Sequence, residues 1–339
     1  MTPHKISWLN MPGYKPETWN PIVGCTKVSP GCDNCYAERM AIRLAGMPDA
    51  QLSSDYKSVL MPGNDNKFTG WSGHTIFREE YLIRPKYWKT PRMVFVCSMG
   101  DLFHESVSFE TIEQVYDAMY SNKQHIFIVL TKRPERAYRF WIWLLDKLAG
   151  LGIQDITPQP KDNIWFGATV ENQEQANKRI PILLQIPHFK RFVSIAPMLD
   201  PIDFYDININ GEFYHTLKGF GDISGGDFGK FNGPKLDWVI CGGESGSKAR
   251  PMHPDWVRSL RDQCKEAGTP FFFKQWGEWM PTSRPLTSSE INVLPRYYAS
   301  TGKFLQITEP WCEYYKAGKL KSGDKLDGQQ HHEWQKINL

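Results

Sequence analysis

Seven short apolar runs, most of them followed by a stretch of helical period, constrain this 339-residue chain more tightly than any other feature. They are Ile22–Cys25, Met93–Cys97, Ile126–Leu130, Ile164–Ala168, Arg191–Ile195, Leu236–Cys241 and Pro270–Lys274. Runs that are apolar throughout, rather than alternating, belong to strands covered on both faces, as in parallel sheets. Helical spacing appears over Glu38–Leu44, Phe109–Tyr120, Glu135–Leu148, Gln173–Leu184 and Pro254–Ala267. Strands alternating with helices predict an α/β fold on a parallel sheet. Units of this number suit a complete or partial parallel (β/α) barrel, and a doubly wound open sheet is the competing arrangement.

Three segments break the rhythm. Residues 45–90 are rich in Gly, Pro, Tyr and Trp, residues 205–235 in Gly, Asn and Asp, and residues 281–339 hold no clear strand series. The expected organisation is a barrel over 1–280 with long inserted loops at about 45–90 and 205–235, and a C-terminal extension over 281–339 packed on it. Long loops in compact domains tend to serve function, and the second insertion is expected to overhang the active face.

No stretch is apolar for long enough to cross a bilayer, and the N-terminus lacks the apolar core of a signal peptide. A cytoplasmic location, without membrane association, is the expectation. In that compartment seven cysteines, an odd number, suggest metal binding or catalysis rather than a disulfide framework. A formal charge of +3 is too small to demonstrate a nucleic-acid partner.

Three of the cysteines fall within eleven residues: Cys25, Cys32 and Cys35, spaced C-x6-C-x2-C and followed by Tyr36. Three thiolates can hold three irons of a cubane cluster and leave the fourth iron open to a small molecule. A structural zinc ion usually takes four ligands, which here would require His4, His74 or Cys97 in addition. The iron–sulfur assignment is favoured because the set is soft and one ligand short.

Polar residues follow nearly every predicted strand, and in a parallel barrel such positions converge on one mouth. After the cysteine loop come Cys97, Ser98 and Asp101, then Thr131, Lys132 and Arg133, then Thr169 and Glu171. Ser194 and Pro197, Gly242, Gly243 and Glu244, and finally Lys274, Gln275 and Trp276 complete the series.

These residues carry a resemblance. The three-cysteine loop with Tyr36 resembles the radical S-adenosylmethionine (SAM) enzymes, in a spacing that departs from their usual C-x3-C-x2-C. Val94–Phe103 and Ile128–Lys132 resemble the spore photoproduct lyase-like branch. The run from Thr18-Trp19-Asn20-Pro21 through Gly242-Gly243-Glu244-Ser245-Gly246 to Phe273-Lys274-Gln275-Trp276 is similar to a phage-associated three-cysteine family. That resemblance covers about residues 17–280. It implies a barrel of radical SAM type, a [4Fe-4S] cluster on Cys25, Cys32 and Cys35, and SAM on the open iron. Some members of that family serve thymidine hypermodification, so it further implies DNA bearing a modified thymidine as substrate. Isomerisation of an N-linked to a C-linked glycinyl-thymidine is the most specific activity it suggests. A reductase or flavodoxin-type electron donor is the implied protein partner, in the host cytoplasm if the chain is phage-encoded.

The expected roles follow from chemistry. Ser98 and Asp101 accept from the SAM ammonium; Lys132, or alternatively Arg133, pairs with its carboxylate. Asn34 and Tyr36 contact adenine, and Glu171 and Glu244 bind ribose hydroxyls or a substrate amine. Thr131, Thr169 and Ser194 are further candidate cofactor contacts. Cys97 is a candidate hydrogen donor to a product radical if it faces the mouth; core packing is the alternative. Lys86, Tyr87, Trp88, Lys89 and Arg92 are candidates to grip phosphate and stack bases. A lyase or repair enzyme, an RNA-modifying enzyme and a zinc-stabilised nucleic-acid-binding barrel are the competing readings.

Overall fold

The structure is a computed structural model. It describes residues 6–48, 50–64, 67–152, 162–188, 190–209, 212–221, 233–281, 296–297 and 314–335.

Seven strands form one sheet: β1 (Lys15–Trp19), β2 (Arg92–Val96), β3 (Ile126–Thr131), β4 (Ile164–Thr169), β5 (Lys190–Ile195), β6 (Trp238–Cys241) and β7 (Phe271–Phe273). Every neighbouring pair is parallel, and the order across the sheet is the order along the chain. A doubly wound sheet reverses its order at a switch point and carries helices on both faces. Here the alternation of side chains sorts the faces differently. Val94, Val96, Phe127, Val129, Phe166 and Val239 pack with the helices α3 (Phe109–Tyr120), α4 (Pro134–Gly150), α5 (Gln173–Gln185) and α6 (Pro254–Ala267). Phe95, Ile128, Trp165, Phe192, Ile240 and Phe272 form a second cluster that contains no residue of those helices. Helices on one face only curl the sheet into a half-barrel, with β1 and β7 as its edges. Of the two expected forms of barrel the partial one is found.

The inner face is closed beneath by tryptophans. Trp8 lies edge-on to Phe95 at 5.1 Å, and Trp334 Nε1 donates to the Trp8 carbonyl at 2.8 Å. The C-terminal segment also covers the β7 edge: His332 bridges Phe272 antiparallel, and Phe273 N donates to the His331 carbonyl. Pairing or covering an edge is a usual way to prevent intermolecular sheet growth.

Helix boundaries have local causes. Ser108 and Asn172 cap α3 and α5 by accepting from the amides of Thr111 and Gln175. Pro254 opens α6, and Gly268, in the left-handed region, ends it.

Two expectations are corrected. Ile22–Val23 is not the first strand of the sheet; it pairs antiparallel with Ile76–Phe77 in a separate ribbon. The sheet begins instead at Lys15–Trp19, a polar segment with a proline, which an edge position tolerates. The described part of the second insertion does not overhang the mouth. Its small antiparallel sheet (Ile207–Ile209, Glu212–His215, Phe220–Gly221) packs into the helix layer, where Gln263 of α6 holds the Phe204 amide and Lys218 pairs with Glu266. Residues 222–232 lie outside the described set.

In the first insertion, α2 (Ala50–Ser58) and the hairpin Leu60–Pro62/Phe68–Trp71 form a satellite core with α1 (Tyr36–Ala45). Among the described residues, no helix is long and apolar enough to cross a membrane.

Candidate active site

The cysteine loop leaves β1 at its C-terminal end, where Gly24 bridges Gly100 of the loop after β2. Gly24 has φ +95°, and a Cβ there would stand 2.2 Å from the His74 carbonyl oxygen, so the position requires glycine. The loop makes one 3-10 turn, Pro30–Cys32, and then enters α1 with Cys35 at the N-cap.

Side chains after three strands, and a backbone carbonyl after a fourth, clamp this loop over the mouth. From β4, the fully buried Glu171 accepts from the Gly31 amide at 3.1 Å and pairs with Arg179 at 3.0 Å. From β6, Glu244 accepts from Asn34 Nδ2 at 3.0 Å and from Arg250, whose guanidinium also reaches Asp33 and the Pro30 carbonyl. From β3, Arg133 donates to Thr26 Oγ1 at 2.5 Å and approaches Cys25 Sγ at 3.7 Å. From β2, the Ser98 carbonyl accepts from the Tyr36 hydroxyl at 2.7 Å. A loop with no regular structure of its own thus takes its shape from the barrel.

Several residues expected to contact a cofactor already have protein partners. Asp101 already accepts from the Phe103 amide and Thr131 Oγ1 on one oxygen and from the Lys132 amide and Arg133 on the other. Arg133 is spent on Asp101, Glu105, Thr26 and Cys25. Glu171 and Glu244 hold the loop rather than facing a ligand freely. Asn34 bridges Glu244 and the Lys248 carbonyl, and Ser98 Oγ donates to Asn20 Oδ1. Cys97, with φ +53°, lies in the helix-side core, and its amide donates to the Trp19 carbonyl; burial pushes its thiol up to about 12, against the pull of the Ile22 backbone. Lys86–Arg92 leads into the N-terminal end of β2, the opposite end of the sheet from the cysteines, and Arg92 is paired with Glu17.

Other candidate residues stand outside these clamps. Thr169 and Ser194 occupy inward positions at the tops of β4 and β5, directly paired in register. Lys132 lies near enough to Glu171 to act on its charge and has no hydrogen-bond or ion-pair partner among the described residues. Tyr36 is 48% exposed as a residue, and its hydroxyl is anchored on the Ser98 carbonyl.

The match to a family spans residues 4–335, almost the whole chain. The chain belongs to the DUF5131 family, described as a protein of unknown function. No curated protein and no solved structure matches it.

In this DUF5131 chain the six described cysteines are all free thiols, so the three in the loop are available as ligands. Burial, with a smaller contribution from Asp101, pushes the Cys25 thiol up to about 12, against the pull of Arg133. A metal would therefore have to displace a proton from it. Burial also acts to raise the Glu171 carboxyl, but Lys132, Arg179 and the bonds from Ser29 and Gly31 outweigh it and hold it below the usual range. Among the described residues no three His, Cys, Asp or Glu are gathered closely enough to hold a single ion.

Asn20, Arg179 and Arg250 were missed from sequence. Asn20 Oδ1 accepts from both Ser98 Oγ and the Met99 amide, and the two arginines complete the acidic clamps. Only Asn20, directly after β1, had a positional signal.

Proposed function

We propose that this chain is a radical SAM enzyme in which Cys25, Cys32 and Cys35 hold a [4Fe-4S] cluster over the mouth of the half-barrel. The observation that carries the reading is the placement of three free thiols on one loop, clamped from β2, β3, β4 and β6 at the C-terminal face, where parallel barrels keep their chemistry. When bound, the cofactors supply one-electron reduction of a sulfonium and hydrogen-atom abstraction from an unactivated carbon. The chain's residues supply the rest. Lys132, beside the loop and without a hydrogen-bond or ion-pair partner among the described residues, takes the SAM carboxylate; the tied Arg133 instead orients Cys25. The exposed face of Tyr36 receives the adenine, and Thr169 and Ser194 line the inner wall. Tryptophans and phenylalanines below the mouth keep water from the reacting centre.

The substrate in this reading is a modified thymidine in DNA, rearranged from an N-linked to a C-linked glycinyl adduct, with a flavodoxin-type electron donor. A base inside a duplex is hidden, so the DNA must be single-stranded or the base flipped out.

Anaerobic reconstitution tests the cofactor assignment. About four irons per chain and cleavage of SAM, both lost in Cys35→Ala, are expected. One zinc per chain with neither iron nor SAM cleavage overturns it in favour of a zinc-stabilised binding module. Nucleoside mass spectrometry of DNA treated with the intact enzyme tests the reaction: a mass-neutral change is expected, and a mass loss means a lyase.

A further inference from the structure

Lys274 continues β7 at an inward position, one step above Phe272 of the inner cluster. Its stem crosses Gly242 at the end of β6, where a Cβ would stand 3.0 Å from Lys274 Cβ and 3.4 Å from Cδ. Gly242 therefore leaves the space through which the lysine enters the mouth. Two further lysines lie within Coulombic range of it: Lys132 from the end of β3 and Lys319 from the C-terminal extension. The extension is tied down there. Ser322 Oγ donates to the Gly277 carbonyl at 2.7 Å, the Gly318 amide to Glu278, and the Trp276 amide to Gly323. None of the three ammonium groups has a hydrogen-bond or ion-pair partner among the described residues. The ionisable groups that act on Lys274 are Lys319, Lys132 and the Cys241 thiol, and none is a carboxylate.

Among the described residues Lys274 and Lys319 have no counter-charge of their own, whereas Lys132 also faces Glu171; an anion seated between Lys274 and the exposed Lys319 relieves their repulsion. We propose that Lys274 and Lys319, facing Lys132, form an oxyanion site that seats a phosphate of the substrate. The proposal rests on the nucleotide-substrate reading above, and it names the group by which the substrate is held. Burial, with Lys319 and Lys132, lowers the Lys274 ammonium to about 8. A bound phosphate reverses the charge term, so binding near pH 8.5 must take up a proton.

The test uses the full chain, metal-free and without SAM, titrated calorimetrically with thymidine 5′-monophosphate, thymidine, inorganic phosphate and acetate. The monophosphate and inorganic phosphate are expected to bind with proton uptake, the monophosphate at least about ten-fold tighter than thymidine. Lys274→Met and Lys319→Met should each weaken the monophosphate about ten-fold, and Lys274→Arg should restore most of the affinity. Equal binding of thymidine and its monophosphate, or binding indifferent to Lys274→Met in a folded variant, overturns the proposal. Acetate binding as tightly as phosphate also overturns it, in favour of a carboxylate-bearing substrate. The titration uses neither iron nor SAM, so failed reconstitution would sink the cofactor assignment while phosphate binding left this site standing.

Discussion

Removing the Glu171 carboxylate should both destabilise the barrel and release the cysteine loop, and the two effects are separable. Glu171 is fully buried and the Arg179 side chain is 4% exposed. In Glu171→Ala the guanidinium keeps only the Thr169 carbonyl, at 2.8 Å. Breaking one side of a buried pair costs about 3–5 kcal/mol. At the lower end of roughly 2–4 °C per kcal/mol for large domains, Tm should fall by about 6–10 °C. The loop loses a hydrogen bond from the Gly31 amide to a charged acceptor, worth about 1.5–3 kcal/mol. With 1.4 kcal/mol per factor of ten, local opening becomes about 10–100-fold more frequent. The assay is iodoacetamide alkylation of the metal-free chain, followed by mass spectrometry at each cysteine. Cys32 should react faster by that factor, while Cys97, buried in the main core, reports global unfolding. An unchanged ratio of Cys32 to Cys97 rates would show that Glu171 does not hold the loop. The double variant Glu171→Leu/Arg179→Met should cost less than the two single changes together, since neither charge is then left alone.

Further outcomes follow from the same geometry. Gly31→Ala places a Cβ 2.9 Å from Glu171 Cδ and should mimic the loss of that clamp in the alkylation assay. Gly243→Ala, whose Cβ would fall 1.8 Å from the Trp276 carbonyl oxygen, should leave little folded protein by circular dichroism. Cys97→Ala should lower stability by about 1 kcal/mol in urea titration and leave the iron content of reconstituted protein at the wild-type value. Lys274 adds a pH dependence: the unfolded chain holds that proton up to about 10.5 and the folded chain loses it at about 8. Stability should therefore rise from pH 8 to 10.5, by about 3 kcal/mol at most, relative to Lys274→Met, which lacks the group. A flat difference between the two across that range would contradict the placement of Lys274.

Much of the barrel was legible because buried parallel strands are written as continuous apolar runs. Six of the seven expected runs coincide with sheet strands, and Phe109–Tyr120 and Pro254–Ala267 match their helices end to end. The first strand was not legible, because Lys15–Trp19 is an edge whose register is held by Glu17–Arg92 and the buried Trp19 rather than by an apolar run. At the site, sequence located the polar strand ends but could not separate residues that touch a ligand from residues that hold the loop. Asp101, Arg133, Glu171 and Glu244 resemble ligand contacts by type and position. Their partners, Thr131, Cys25, Gly31 and Asn34, lie 30 to 210 residues away, and no local pattern records such pairings.

Those separations bear on the order in which the molecule is made. Gly31 meets Glu171 across 140 residues, Asn34 meets Glu244 across 210, and Pro30 meets Arg250 across 220. A ribosome must synthesise more than two thirds of the chain before the third of these anchors exists, so the thiols emerge early and wait. Contacts this distant form late in folding. If the loop holds the proposed cluster, iron offered to the growing chain would meet three loose sulfhydryls, whereas iron offered after release would meet a shaped nest. On that reading loading follows synthesis.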